Sequence, residues 1–356
     1  MKRIGIAGLG DAGFSMHLPA TRALSGVTVA GIADIDASRL ERATKAYGGT
    51  GYSDWREMLN REQLDCVIVA TPPDSHAEIC IAALEKGANV VCEKPFTDSV
   101  ADADRIIAAA AAHSRRIAIN HEFRQMPIFQ GILKSVAREG SDAIVFAQAW
   151  QQVDLPPSGD TGWRGSMRRR VLHEAGVHLI DFILAAFGTV PESVFGAFSS
   201  GGSDPGENED AVVSISLRFP GARLASITIN RLAKGENHYL DARIDTRSAS
   251  YRASFGGRAR ITAGLHRAKQ PHLRLDYGVS GLAWKENGSR REVIARNPPD
   301  PRMLATRSLL SSTFQAFDSG GELPCSAEWA REVTRVIEAI YRSGESGRIE
   351  PVESNK

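Results

Sequence analysis

The stretch Ile4-Gly5-Ile6-Ala7-Gly8-Leu9-Gly10-Asp11-Ala12-Gly13 opens the chain, and Val27 to Ala33 followed by Asp34-Ile35-Asp36 answers it. Ile4–Ala7 reads as a short apolar strand running into a complete G-x-G-x-x-G, and Val27–Ala33 reads as a second strand ending in an acid. Strand, glycine turn, helix, strand and acid, in that order, is the context the dinucleotide fingerprint requires. Gly8 permits the tight turn, Gly10 lets the backbone approach a pyrophosphate, and Gly13 lets the following helix pack close to the sheet. The free N–H groups of Asp11, Ala12 and Gly13 then face the phosphates at the positive end of a helix. Asp34 is placed to accept hydrogen bonds from an adenosine ribose. Its charge would repel a 2′-phosphate, which favours NAD; Arg39, five residues on, keeps NADP open.

Working outward, residues 1–122 alternate strand and helix. Strands are expected at Arg3–Ala7, Val27–Ala33, Leu64–Thr71, Ala88–Cys92 and Arg116–Asn120. Helices are expected at about Gly13–Ser25, Ser38–Tyr47, Asp74–Lys86 and Ser99–His113. This is the pattern of βαβ units and a parallel, doubly covered sheet. The pattern changes near residue 122. Helices are expected at Ile128–Ala137 and, amphipathic, at Val171–Phe187. Alternating runs follow at Ala143–Gln152, Ser193–Phe198, Ala211–Phe219, Ala222–Asn230, His238–Thr246, Ala249–Phe255, Gly281–Glu286 and Arg291–Ala295, with a hairpin turn at Asn287-Gly288. Leu304–Phe317 and Ala327–Arg342 read as closing helices, and Gly201–Asp210 as a polar, mobile loop. The fold class is α/β: a Rossmann dinucleotide-binding domain (1–122), then an α/β domain (123–356) with a large open, mostly antiparallel sheet.

Composition narrows the function. The chain has 356 residues, 42% hydrophobic and 24% charged, with a net charge of +1, as in ordinary globular proteins. Residues 1–122 hold 13 Lys/Arg against 16 Asp/Glu and the remainder 30 against 26, so neither part suggests nucleic acid or a membrane surface. No apolar run approaches the length of a membrane span, and the first strand begins too early for a signal peptide. Cys66, Cys80, Cys92 and Cys325 lack metal-ligand spacing. They read as buried thiols in a reducing, cytoplasmic setting, and no metal site is expected.

Three segments carry chemistry. Ala70-Thr71-Pro72-Pro73 and Cys92-Glu93-Lys94-Pro95 both follow strands, and doubly wound sheets bind ligands beyond the carboxyl ends of their strands. Thr71, Pro72 and His76 read either as a wall of the cofactor site or as a rigid turn. Lys94 is placed to hydrogen-bond a substrate hydroxyl or carbonyl. In His173-Glu174-Ala175-Gly176-Val177-His178-Leu179-Ile180-Asp181, Glu174 and His178 are one α-helical turn apart, and Asp181 lies near the same stripe. A carboxylate so placed can set a histidine's tautomer. His173 points off that face.

Taken together, these pieces resemble the glucose–fructose oxidoreductase/inositol dehydrogenase (Gfo/Idh/MocA) family. The matching residues are the Gly8/Gly10/Gly13 turn, Ala70–Pro73, Glu93-Lys94-Pro95, Asn120 with Arg124, Gly176 to Asp181, and the final helix Val336–Ser343. The resemblance implies an NAD(P)-dependent dehydrogenase or reductase acting on CH–OH groups of a sugar, inositol or related polyol. It implies Lys94, Glu174 and His178 as the catalytic group, with Glu174 where relatives often carry Asp. Glu93 and Lys94 join the cofactor residues, and His121, Arg124, Trp163, Arg164 and Asp181 face the substrate. It also implies a homo-oligomer, dimer or tetramer, joined through the open sheet face. Met167-Arg168-Arg169-Arg170 replaces the Gly-rich turn usual before this helix, and its arginines suit either an anionic partner or a solvated face. An NAD-dependent glycosidase and a dinucleotide-sensing binding protein are the competing functions.

Overall fold

The computed structural model of the protein describes residues 1–155, 162–164, 167, 169–202, 209–256, 261–265, 271–275 and 281–353. Arg168 and most of the Gly201–Asp210 loop (203–208) lie outside the described residues.

The chain divides into two compact units, Met1–Gln125 with Arg302–Arg335, and Met126–Pro301 with Val336–Lys356. In the first unit, β1 (Lys2–Ala7) leads through a π turn (Gly13–His17) into the short helix α1 (Leu18–Arg22). The expected helix Gly13–Ser25 is continuous as far as Arg22, its first turns π-helical and the rest α-helical, and Pro19 falls just after the π segment. Then come β2 (Val27–Ala33), α2 (Ala37–Tyr47), β3 (Thr50–Tyr52), α3 (Trp55–Arg61), β4 (Cys66–Val69), α4 (His76–Glu85), β5 (Asn89–Glu93), α5 (Val100–Ala112), β6 (Ile117–Asn120) and the single turn α6 (Glu122–Gln125). Helix starts follow local chemistry. The side chains of Asp36, Asp54 and Ser99 each accept a backbone N–H from the first turn of α2, α3 and α5.

The six strands are parallel in the order β3-β2-β1-β4-β5-β6. All four residues of β4 are fully buried, because helices cover both faces of the sheet. One of those covers comes from far along the chain. Leu309, Leu310 and Phe314 pack with Ile4, Ile6, Ile32 and Ile68, and Cys325, Ala327 and Ala330 pack with Val69, Val90 and Ile119. Arg116 donates to the carbonyls of Ala316 and Gly321 (both 2.6 Å). Residues 302–335 thus belong with the first unit, which corrects a single domain break after residue 122.

The second unit holds α7 (Pro127–Glu139), β7 (Ile144–Gln152), a π turn (Leu172–Gly176) leading into α8 (Val177–Phe187), β8 (Ser193–Ser199), β9 (Val212–Phe219), β10 (Arg223–Asn230), β11 (His238–Thr246) and β12 (Ser250–Gly256). A separate pair, β13 (Ile261–Leu265) with β14 (Pro271–Leu275), is followed by β15 (Leu282–Asn287) and β16 (Arg290–Arg296). The long helices α9 (Pro301–Ser319) and α10 (Ala327–Ser346) precede β17 (Glu350–Pro351).

The large sheet runs β16-β15-β12-β11-β7-β10-β9-β8-β17; β7 and β10 are parallel and every other neighbouring pair antiparallel. Ala147, Ala149, Ile215, Ile227 and Ile244 are buried on one face. Gln148, Trp150, Ser216, Thr228 and Arg243 alternate onto the other and keep contact with water. The helix expected to be amphipathic is not: in α8 only Ala185 escapes full burial. A helix buried on every side belongs inside a core.

Candidate active site

The glycine turn is built by exclusion. Gly8 adopts φ +95°, and a Cβ there would lie 2.5 Å from the Ala70 carbonyl oxygen. A Cβ on Gly13 would lie 2.0 Å from the Gly8 carbonyl oxygen, whereas one on Gly10 would meet nothing within 4 Å. The outer two glycines are thus required by the protein's own backbone, and open space lies above the middle one, where a pyrophosphate fits. Asp11 is exposed on this turn, with Arg302 3.6 Å from its carboxylate. Asp34 ends β2 and is fixed by backbone: Leu9 N–H donates to Oδ2 (2.5 Å) and Asp36 N–H to Oδ1 (2.8 Å). A carboxylate has about four acceptor sites, so two bonds leave capacity for a ribose. Arg39 faces Asp36 at 3.3 Å.

His76, expected at the cofactor, is buried and tied to backbone. Nε2 meets the Thr71 carbonyl (2.9 Å), and Nδ1 meets those of Pro95 (3.1 Å) and Phe96 (3.2 Å). Both ring nitrogens face backbone carbonyls. The ring joins the Thr71–Pro73 loop to the Lys94–Pro95 loop. Ser75 supports the first loop, donating to the Pro72 carbonyl (2.7 Å).

Glu93, expected at the cofactor, is held by protein partners. It is buried, and Oε1 meets His17 Nε2 and Asn120 Nδ2 (both 2.7 Å), while Oε2 accepts the Lys94 N–H (3.1 Å). Burial pushes its carboxyl up, but hydrogen bonding and charge from His17 outweigh this and hold it below the usual carboxylate range. Lys94 itself is half-buried at the carboxyl edge of the sheet.

At the end of the neighbouring strand, His121 is buried. Arg124 donates to the Pro324 carbonyl (3.1 Å) and lies 5.4 Å from the Trp329 ring centre, which makes it a brace for the segment before α10. Glu122 escaped the sequence reading altogether. It is buried, and burial with the nearby Glu93 charge pushes its carboxyl up to about 8. Nothing in a lone Glu after a strand signals this; Arg302, whose charge acts on it, returns only late in the chain.

In the second unit, Asp210 organises the start of the π turn. Its carboxylate accepts the N–H groups of Arg170 (3.1 Å) and Val171 (2.9 Å) and the Tyr341 hydroxyl (2.8 Å). Glu174 sits inside that turn, so the α-helical spacing assumed between it and His178 does not apply. Both of its oxygens take guanidinium groups: Arg164 Nε on Oε1 (2.5 Å), Arg170 Nε (2.5 Å) and Arg231 Nη1 (3.0 Å) on Oε2. Burial raises its carboxyl, but the charge and hydrogen bond of Arg170, then those of Arg164, hold it below the ordinary value. Glu174 is thus the hub of an ion-pair cluster with Arg164, Arg170 and Arg231. His178 and Asp181 are buried on α8. Arg164 stacks over Trp163 at 4.5 Å. His173 stacks on Tyr341 at 5.6 Å.

The family described as "Oxidoreductase family, NAD-binding Rossmann fold" matches residues 2–121, and the "GFO/IDH/MocA C-terminal domain" matches residues 141–252. The chain belongs to the Gfo/Idh/MocA family of oxidoreductases. It is 28% identical to an uncharacterized oxidoreductase, ORF334, of Rhizobium meliloti, covering 98% of this chain and 99% of that protein. It is 30% identical to D-apiose dehydrogenase of Paraburkholderia graminis over 49% of this chain and 47% of that one. A solved oxidoreductase from Agrobacterium radiobacter, in complex with NAD+, L-tartaric acid and magnesium, shares the fold with TM-score 0.82 at 17% identity, covering 99% of this chain and 98% of the other.

Proposed function

We propose that this oxidoreductase transfers hydride between NAD and a CH–OH carbon of a sugar, inositol or related polyol. The observation that carries the reading is the Gly8–Gly13 cradle with Asp34 held by backbone at the end of β2. When bound, the dinucleotide supplies the hydride acceptor. Gly10 gives the pyrophosphate its approach, and Asp34 accepts from the ribose. Lys94 donates a hydrogen bond to the substrate oxygen and stabilises negative charge that develops there. His178 takes the hydroxyl proton, a role worth roughly 10²–10⁴ in rate for a positioned base. Glu174 keeps the arginines at the start of α8 in place.

NAD is favoured over NADP because Asp34 would repel a 2′-phosphate and Arg39 faces Asp36 instead. The water-exposed face of the large sheet supports a homo-oligomer, and sedimentation tests that. Purified protein incubated with NAD or NADP and a panel of inositols, aldoses, sugar acids and glycosides tests the function. Reduced nicotinamide appearing with a polyol supports the dehydrogenase. Glycoside cleavage without net NADH would replace it with a glycosidase. His178→Ala at near-normal kcat would remove the base assignment, and Lys94→Ala that weakened dinucleotide binding more than turnover would make Lys94 a cofactor residue.

A further inference from the structure

The end of β6 carries a buried carboxyl that the proposed reaction does not use. Glu122 opens α6, two residues past Asn120, and Asn120 is the register partner of Glu93 at the end of β5. Glu122 is 2% exposed, and its Oε2 has no hydrogen-bond partner among the described residues. A buried, unmatched carboxylate oxygen is costly, and the neutral acid relieves that cost. The charged groups facing it are Glu93 and Lys94 from the end of β5 and Arg302 from the start of α9; His17, from the π turn after the glycines, stands behind Glu93. Burial and Glu93 push the Glu122 carboxyl up to about 8, against the pull of Lys94 and Arg302.

The position matters because of which half of a dinucleotide reaches it. The strand order turns back between β1 and β4, and Asp34 lies at the end of β2 on the β1–β3 side. A dinucleotide bound across that switch point, with its adenosine ribose on Asp34, extends its other half over β4, β5 and β6. The nicotinamide of NAD+ carries a positive charge that NADH lacks. A cation brought to this edge favours the ionised carboxyl over the acid.

We propose that Glu122 is a charge-responsive proton carrier of the dinucleotide site, neutral in the free protein and with NADH, and ionised when NAD+ is bound. Binding NAD+ then releases the carboxyl proton to solvent, and NAD+ affinity rises with pH through the titration of Glu122. This rests on the dinucleotide reading of the Gly8–Gly13 turn. Titration calorimetry of NAD+ and NADH, repeated in two buffers of different ionisation enthalpy, reads the protons exchanged without any substrate. Near pH ~7.5 the wild type is expected to release about half a proton or more with NAD+ and close to none with NADH. Glu122→Gln and Glu122→Met are expected to release none and to bind NAD+ about three- to tenfold more weakly, with NADH affinity unchanged. Equal proton release in wild type and both variants, or tight NAD+ binding by the wild type with no proton exchanged, would overturn the proposal. A wild type that binds neither dinucleotide would overturn the glycine-turn reading as well, and so is distinguishable from failure at Glu122 alone.

Discussion

Asp34 and Glu174 are held in opposite ways. Asp34 takes two backbone N–H groups and, among the described residues, no guanidinium hydrogen bond, and it stays partly open to solvent. Glu174 takes three guanidinium groups, two of them from the nearly buried Arg170 and Arg231. A carboxylate held by backbone keeps charge and lone pairs to offer a ligand. One held by arginines offers little of its own and instead fixes where positive charge sits. The glycine turn thus leaves acceptor capacity open, whereas the start of α8 is a frame.

The sharpest way to break this contrast is Glu174→Ala. It leaves Arg170 and Arg231 buried beside a lost partner, an uncompensated charge worth about 3–5 kcal/mol. Denaturant unfolding should show that loss, with dinucleotide affinity of the folded protein kept. Lost affinity at full stability would make Glu174 a ligand residue after all. Next comes Gly13→Ala, whose methyl would sit 2.0 Å from the Gly8 carbonyl oxygen. The turn must open, and NAD affinity measured by fluorescence should fall about 100-fold, or roughly 2.7 kcal/mol. Retained affinity would show that the cradle tolerates rearrangement.

A smaller effect separates Glu93 from Glu122. Glu93 lies below its ordinary pKa, so its contribution is present above that value and is lost as pH falls beneath it. Glu122 is raised, so its contribution is present below the ordinary glutamate pKa and is lost as pH rises through about 8. Glu122→Gln should therefore gain melting temperature over wild type by a few degrees as pH moves from about 6 to 9. A constant difference across that range would place the Glu122 titration elsewhere. The smallest effect is expected from Arg39→Ala, which breaks an exposed pair with Asp36. NAD and NADP affinities should each stay within about twofold, and a selective loss of NADP would reverse the cofactor preference argued from Asp34.

The same contrast explains what could be read from the chain. Gly8, Gly10, Gly13 and Asp34 were legible because their geometry is made within one βαβ unit. Most strands were legible because their periodicity is local as well. The three arginines on Glu174 were not, since Arg231 returns from 57 positions away and a π turn shifts the spacing. Glu93 looks like a surface acid until His17 and Asn120 meet it, and Glu122 until folding buries it. His76 follows two prolines and reads as a cofactor wall; only folding shows its ring set among three backbone carbonyls. β3, three residues long, carries no periodic signal, and the apolar stripe of α9 does not reveal which sheet it will cover.

One feature of the large sheet bears on how the protein acquires its fold. β7 is flanked by β10 and β11, which are synthesised some seventy to a hundred residues later, and it runs parallel to β10. The meander β8–β9–β10 pairs strands that are consecutive in the chain and can form early, whereas the central strand waits for partners on both sides. The nascent second unit therefore carries an unpaired, half-apolar strand through much of its synthesis. Long-range pairing of this kind is slow, and exposed edges invite intermolecular pairing. Recovery of active protein on refolding should thus be limited by concentration before it is limited by stability.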